Sequence, residues 1–430
     1  MEKNNKRIIN AWASYDWSNS VYNLIITTAI FPIYYSAATK DAFGGDIVQF
    51  FGMSVKNTVL YTYAISFSFL IIVFLSPVLS GIADYAGIKK RFMKGFTYIG
   101  AMACIGLYFF NGENVEYGIA CSVIASIGFA GSLVFYNAFL PEVATVDRMD
   151  NLSAKGFAMG YIGSVILLIV NLVIILNPDT FGFATKSNAT KFGFLLVGFW
   201  WLGFSQIAFY YLKDRPTGHK INSKVLSKGI QELKKVFSAL SQKMVMKRFL
   251  VSFFIFSMGV HTVMLLAPLF AESEIGFEAD QMIMLVIILQ ILAVFGAYFF
   301  AYLSRIKGNK FAIGVILIMW AAVCVLSYFL HEKISFYIMG GIIGIVMGAI
   351  QSLSRSTYSK LIPTDTLDTA SYFSFYDITE KLAIVVGTFS YAYIEQVTGN
   401  MRYSMISMAL FFIVGFVILQ TVNFTKREIV

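Results

Sequence analysis

An all-helical membrane protein, with twelve transmembrane helices in two six-helix halves, is the fold class this sequence predicts. Three observations predict it: a charge-poor composition, twelve long apolar runs, and basic residues concentrated on alternate connections. Of 430 residues, 58% are hydrophobic and 13% charged, and 42 are Phe. Soluble chains average about 45–50% apolar and about 25% charged residues. So few charges could not cover a soluble enzyme of this length. The 17% aromatic content argues equally against a disordered or nucleic-acid-binding chain. The net charge of +9 therefore needs an explanation other than nucleic acid.

A helix crosses the hydrocarbon core with about 20 apolar residues. Runs bounded by polar breaks predict spans near 12–38, 58–82, 92–111, 117–140, 155–176 and 192–212, then 249–271, 281–304, 311–330, 334–359, 369–394 and 402–424. A cleavable signal peptide is not expected, because the first apolar run contains Asp16 and Asn19 and has no small-residue cleavage pattern behind a short apolar core. Basic residues accumulate on cytoplasmic loops. The side with both termini holds 26 of the 33 basic residues and 10 acids. The opposite side holds Lys40, Lys56, Lys186, Lys191, Lys333 and Arg402 against 11 acids, and the spans hold Lys381 against Asp16, Asp377 and Glu380. Both termini are expected in the cytoplasm and the chain in a bacterial inner (plasma) membrane, so the basic excess reads as an orientation signal.

The longest polar stretch, 213–248, carries ten of those 26 basic residues and separates an N-terminal half, 1–212, from a C-terminal half, 249–430. Within it Val225, Ile230, Leu233, Val236, Phe237 and Leu240 recur at near-helical spacing among lysines. That pattern fits an interfacial helix on anionic lipid, and equally a solvated linker. The three cysteines, Cys104, Cys121 and Cys324, lie in apolar runs without metal-ligand spacing and read as small core residues. His219, His261 and His331 are scattered over different segments. No cofactor is expected, and no phosphate-binding Gly-x-x-x-x-Gly-Lys-Ser/Thr loop occurs.

The halves echo each other. The first and seventh spans end in Phe31-Pro32-Ile33-Tyr34 and Ala267-Pro268-Leu269-Phe270, and the fourth and tenth run to Leu140-Pro141 and Ile362-Pro363. The second-to-third loop, Ser80–Arg91, carries Gly81, Asp84, Gly87, Lys89, Lys90 and Arg91, a tight glycine turn with a charge latch. It resembles the signature loop of the major facilitator superfamily, with Tyr85 where a basic residue is usual. The corresponding loop Leu303–Lys310 keeps only Ser304, Arg305, Gly308 and Lys310. Five further segments resemble the vacuole-effluxer-like branch of that superfamily: Trp12–Asn23 running to Tyr35, Phe135–Thr145, Ser153–Ser164, Gln351–Pro363 and Tyr372–Lys381. The resemblance covers both halves. It implies a secondary transporter, whose fungal relatives are associated with amino-acid efflux from the vacuole, and hence a small-molecule solute, an amino acid among the candidates. The chain departs from the branch at Ser257–Thr262, where a Gly-Val-Gln-Thr run, often preceded by an acid, is replaced by Ser-Met-Gly-Val-His-Thr.

Without the family, the same segments stand out for polarity inside spans. Asp16, Asn19, Ser20, Asn23 and Thr27 form a polar stripe at helical spacing, and Asn137 sits at the end of the fourth span. Gly340, Gly344 and Gly348 lead to Gln351 and Arg355 on one face, a small-residue seam; Gly156, Gly160 and Gly163 read as packing. Asp377, Glu380 and Lys381 lie inside the eleventh span, where each charge costs about 2.5–3.5 kcal/mol at a helix centre. Asp377 can pair with Lys381 at i, i+4. Counting Asp16 and Arg355, three acids meet two bases, and the carboxyl left over, Asp16 or Glu380, is a candidate proton carrier. The alternative is a fixed salt-bridge network that latches one state. His261, near the middle of the seventh span, is either a proton or solute group or a neutral hydrogen-bonded residue. A receptor or scaffold would need a domain outside the bilayer, and connections 39–57 and 177–191 are short. An intramembrane enzyme would need a nucleophile or metal-binding His beside these acids.

Overall fold

The computed structural model describes residues 2–218 and 225–424, so His219 and residues 220–224 of the linker lie outside the described residues. The chain is nearly all helical: α1 (Lys6–Val21), α2 (Phe31–Phe43), α3 (Asn57–Ala86), α4 (Lys89–Gly106), α5 (Val115–Ala138), the short α6 (Leu140–Val143), α7 (Met149–Leu176), α8 (Lys186–Tyr211), α9 (Val225–Gln242), α10 (Met244–Ile275), α11 (Ala279–Lys307), α12 (Asn309–Ser327), α13 (Lys333–Leu361), α14 (Thr369–Thr398) and α15 (Met401–Gln420). Ten helical segments are long and apolar enough to cross a membrane, and α1 with α2 makes an eleventh as a broken span. At 30 residues α14 falls within the length range of these but is less apolar, because it carries Asp377, Glu380, Lys381 and Glu395. It is the twelfth long helix, at the place expected for the eleventh span.

The first span departs from the single helix expected over 12–38. After Val21 the backbone widens into π-helical turns, Tyr22–Ala29, and then bends by 43° into α2. Pro32 in the first turn of α2 has no N–H to continue the ladder, so the helix restarts there. Beyond α2 a hairpin joins β1 (Ile47–Phe50) to β2 (Met53–Lys56), pairing Phe50 with Met53. Its two turn residues, Phe51 and Gly52, both have positive φ, 47° and 81°, as a tight hairpin turn requires. The Phe51 N–H donates to Glu116 Oε1 at 2.9 Å.

The helices gather into two compact units. One comprises Lys6–Asn137 with Met159–Gly229; the other comprises Met1–Asn5, Ala138–Ala158 and Ile230–Val430. The division falls within α9, and the α5–α7 connection groups with α10–α15. In the first unit, aromatic residues of α1 provide the core. Trp12 stacks on Tyr136 with centroids 4.5 Å apart and donates Nε1–H to the Tyr136 carbonyl at 3.1 Å, and Tyr15 and Thr97 share a 2.6 Å hydrogen bond. Gly160 and Gly163 of α7 admit Ser20 and Trp17 of α1, the packing role expected of them. In the second unit, Gly344 and Gly348 of α13 lie against the backbone carbonyls of Leu289 and Ala293 on α11, so the glycine seam serves close helix approach.

Candidate functional site

The α3–α4 loop is held by backbone packing within the first unit. Gly81 lies so close to the Gly229 carbonyl that a Cβ would overlap it, and Gly87, at φ +67°, is as close to the carbonyl of Arg215. The Lys90 N–H donates to Asp214 Oδ1 at 2.6 Å, Lys90 Nζ donates to the Phe209 carbonyl at 3.2 Å, and Thr217 Oγ1 donates to the Tyr85 carbonyl at 2.6 Å. Asp84 meets Lys89 Nζ at 3.9 Å, both side chains buried, while Arg91 is exposed. Asp214 is pushed above the usual carboxylate range by burial, which outweighs the Lys90 hydrogen bond and the nearby Lys90 and Arg91 charges.

In the same unit, Asp16 is buried and its Oδ2 accepts the Tyr136 hydroxyl at 2.8 Å. Asn19 is buried too. Its Oδ1 accepts from Ser20 at 3.3 Å and its Nδ2 has no hydrogen-bond partner among the described residues. Asn23 is exposed, and Asn137 at the end of α5 is half-buried. The expected stripe assumed a constant α-helical period. The i→i+5 turns from Tyr22 to Ala29 break that period over Asn23 and Thr27.

The second unit brings four predicted residues together on α10 and α14. His261 Nε2 lies 3.2 Å from Glu380 Oε1, Glu380 Oε2 lies 3.3 Å from Lys381 Nζ, and Lys381 Nζ lies 3.5 Å from Asp377 Oδ1. The Asp377–Lys381 pair is the one expected from i, i+4 spacing. Glu380 is not the leftover carboxyl: both of its oxygens are engaged, because α10 presents His261 at the same level. The bare carboxylate atom is Asp377 Oδ2, buried and without a hydrogen-bond partner among the described residues. Gln351 is half-buried, with Nε2 3.9 Å from Met264 Sδ.

Arg355 makes contacts of another kind. It is buried, its Nε and Nη2 donate to the Oγ and carbonyl of Ser153, both at 2.9 Å, and its guanidinium lies 4.1 Å from the Phe157 ring centroid. It thus fastens α13 to the beginning of α7. A buried cluster not foreseen from the sequence does the same one turn further along. Lys360 Nζ lies 2.7 Å from Asp150 Oδ2 and donates to Asn309 Oδ1 at 2.9 Å. Asn309 Nδ2 donates to Asp150 Oδ1 at 2.9 Å and to Thr357 Oγ1 at 2.8 Å, and the Ser304 hydroxyl donates to Asp150 Oδ2. Together these groups surround the Asp150 carboxylate. The signal in the sequence was faint: Lys360 is followed by Leu361-Ile362-Pro363, an apolar flank unusual for a solvated loop lysine. Among the described residues no group of three or more His, Cys, Asp or Glu could hold a metal ion.

The sequence profile described as "Vacuole effluxer Atg22 like" matches residues 4–428. YxiO of Bacillus subtilis (strain 168), an uncharacterized MFS-type transporter, is 30% identical over 420 residues, covering 95% of this chain and 93% of its own. Autophagy-related protein 22-1 of Penicillium rubens is 23% identical over 489 residues, covering 93% and 81%. Among solved structures, the major facilitator transporter FucP in its outward conformation matches with a TM-score of 0.72 over 97% of this chain and 99% of that one. At 12% identity this shows a shared fold alone. The chain therefore belongs to the vacuole effluxer Atg22-like family, and is a multi-pass membrane transporter of the major facilitator type rather than an enzyme.

Proposed function

We propose that this chain is a proton-coupled secondary transporter that moves a small polar solute, an amino acid in keeping with its family, by alternating access of the halves 1–212 and 249–430. The observation that carries the reading is the chain of contacts His261–Glu380–Lys381–Asp377 on α10 and α14. Ionisable groups inside a span are costly and mark solute pathways and proton relays. Two carboxylates here face one ammonium, and His261 is the neighbour able to add a second positive charge by taking a proton. With His261 neutral the four groups carry one net negative charge; with one proton gained they carry none. A cluster without net charge rearranges inside an apolar bundle at far lower cost than one that keeps its charge.

Protonation at the His261–Glu380 contact weakens the hold of Glu380 on Lys381. The ammonium then passes to Asp377, whose Oδ2 is open to accept it. The segment Ala138–Ala158, fastened to α13 through Ser153–Arg355 and Asp150–Lys360, serves as the closing element. The positive-inside bias supports placing that end in the cytoplasm of a bacterial plasma membrane.

A thermal-shift screen of the purified protein against amino acids, dipeptides, sugars and nucleosides identifies the solute. Proteoliposomes enclosing a pH dye then read coupling. The expected result is proton movement in step with solute flux, lost in Glu380→Gln while solute binding survives. Flux that never moves protons, and that Glu380→Gln and His261→Gln leave unchanged, rejects the proposal.

A further inference from the structure

The helix α9 is separated from α10 by a single residue, so it lies at the end of that span. Its part in the second unit, from Ile230 onward, packs on one side only. Val236 and Leu240 are buried, and the Phe237 ring lies 5.9 Å from that of Phe375 on α14. Lys235 is taken up by Asp368 at 2.9 Å and by Glu232 at 3.2 Å. The adjoining flank is open. Ile230, Lys234, Phe237 and Ser241 recur at i, i+4, i+7 and i+11, so they form one row along the helix. In that row Phe237 is 62% exposed, and Met244 just beyond it is 55% exposed. The exposed cations Lys234, Lys243 and Lys247 have no acidic partner among the described residues. Two open apolar side chains framed by three unpaired lysines, on a helix at the end of a span, have the composition of a surface that sits in a lipid headgroup layer.

From this arrangement we propose that the open flank of α9 and the start of α10, Ile230–Lys247, is a binding surface for anionic phospholipid. Phe237 and Met244 enter the acyl boundary, and Lys234, Lys243 and Lys247 hold the phosphate groups. The charge of the lysines selects the occupant: a zwitterionic headgroup offers its phosphate with a compensating ammonium, whereas phosphatidylglycerol offers an uncompensated anion. The surface is separate from the charged chain on α10 and α14. It therefore stands or falls independently of proton coupling and of the solute.

The test uses the full chain in lipid nanodiscs. Cys104, Cys121 and Cys324 are buried, so Ser241→Cys on the exposed flank takes an environment-sensitive fluorophore selectively. The label is expected to shift to the blue in discs containing phosphatidylglycerol relative to discs of phosphatidylcholine alone. Native mass spectrometry of the unlabelled protein should show phosphatidylglycerol retained through purification. Neutralising one lysine should weaken retention about fivefold, since each cation near an anionic surface contributes on the order of 1 kcal/mol. Lys234→Gln should therefore lower retention and Lys234→Arg should restore it, a readout that a folding defect would not reproduce. Identical label emission in the two kinds of disc, or undiminished retention by Lys234→Gln and by the Lys234→Gln, Lys243→Gln, Lys247→Gln triple variant, overturns the proposal. Retention lost equally in the glutamine and arginine variants overturns the charge-based selection.

Discussion

The two loops that occupy the same place in each half of the sequence, Ser80–Arg91 and Leu303–Lys310, are fastened by different chemistry. The first is held by close backbone packing beside the buried Asp84–Lys89 pair. Gly81 and Gly87 leave room for the carbonyls of Gly229 and Arg215, and the hydrogen bonds from Lys90 and Thr217 run to the adjoining Asp214 and back to Tyr85. The second is held by charge. A Cβ at Gly308 would meet nothing, while Ser304 and Asn309 at its ends converge on the Asp150 carboxylate with Lys360. A contact made by missing side chains has no substitute in water and suits a joint that stays closed. A contact made by hydrogen bonds to a carboxylate can be exchanged for water and suits a joint that opens. One signature position is thus held by close backbone packing in one half and by a buried carboxylate cluster in the other.

The sharpest way to break this comparison is at the Asp150 cluster. Lys360→Met leaves Asp150 buried without its cation and should destabilise the protein by about 3–5 kcal/mol in thermal unfolding. Adding Asp150→Asn to Lys360→Met should recover most of that, and a failure to recover would mean that packing rather than charge holds the joint. Next comes the glycine loop. Gly87→Ala combines a strained positive φ with backbone overlap and should cost about 2–4 kcal/mol. Gly308→Ala, strained at φ +87° but in open space, should cost about 1–3 kcal/mol and less than Gly87→Ala in the same assay. Equal losses would remove the distinction between the loops.

The smallest effect concerns Asp214. Burial raises its folded pKa, so between the unfolded value and that raised value the folded state holds more protons than the unfolded one. Its contribution to stability therefore falls as the pH rises through this window and stays lower above it. Asp214→Asn keeps an acceptor for the Lys90 N–H and should remove this slope, leaving stability at neutral pH unchanged or slightly higher. A variant with an unaltered acid limb would mean that Asp214 does not titrate in the window.

Long-period features were legible in the sequence because one physical cause governs each. Apolar length marked the ten helical segments able to cross a membrane, and i, i+4 spacing gave the Asp377–Lys381 pair. Contacts across helices were not legible. His261 and Glu380 lie in different spans, and nothing local says that they share a level. Asp150 and Lys360 are 210 residues apart. Both were counted as loop charges, since bookkeeping of basic loops treats every charge at a span end as solvated. The break in the first span had a visible cause in Pro32, but the π turns before it had none, and they interrupt the helical period on which the place of Asn23 rested.

The charges on α14 also bear on how the protein is made. Three ionisable residues inside one span, each costing about 2.5–3.5 kcal/mol at a helix centre, make α14 a poor candidate for entering the bilayer alone as it leaves the insertion machinery. Its partner is already waiting: α10, synthesised earlier, presents His261 to Glu380. Membrane entry of α14 is therefore expected to depend on assembly, with helix-to-helix recognition standing in for hydrophobicity. The groups proposed to move protons in the finished transporter are the same ones expected to make its insertion cooperative.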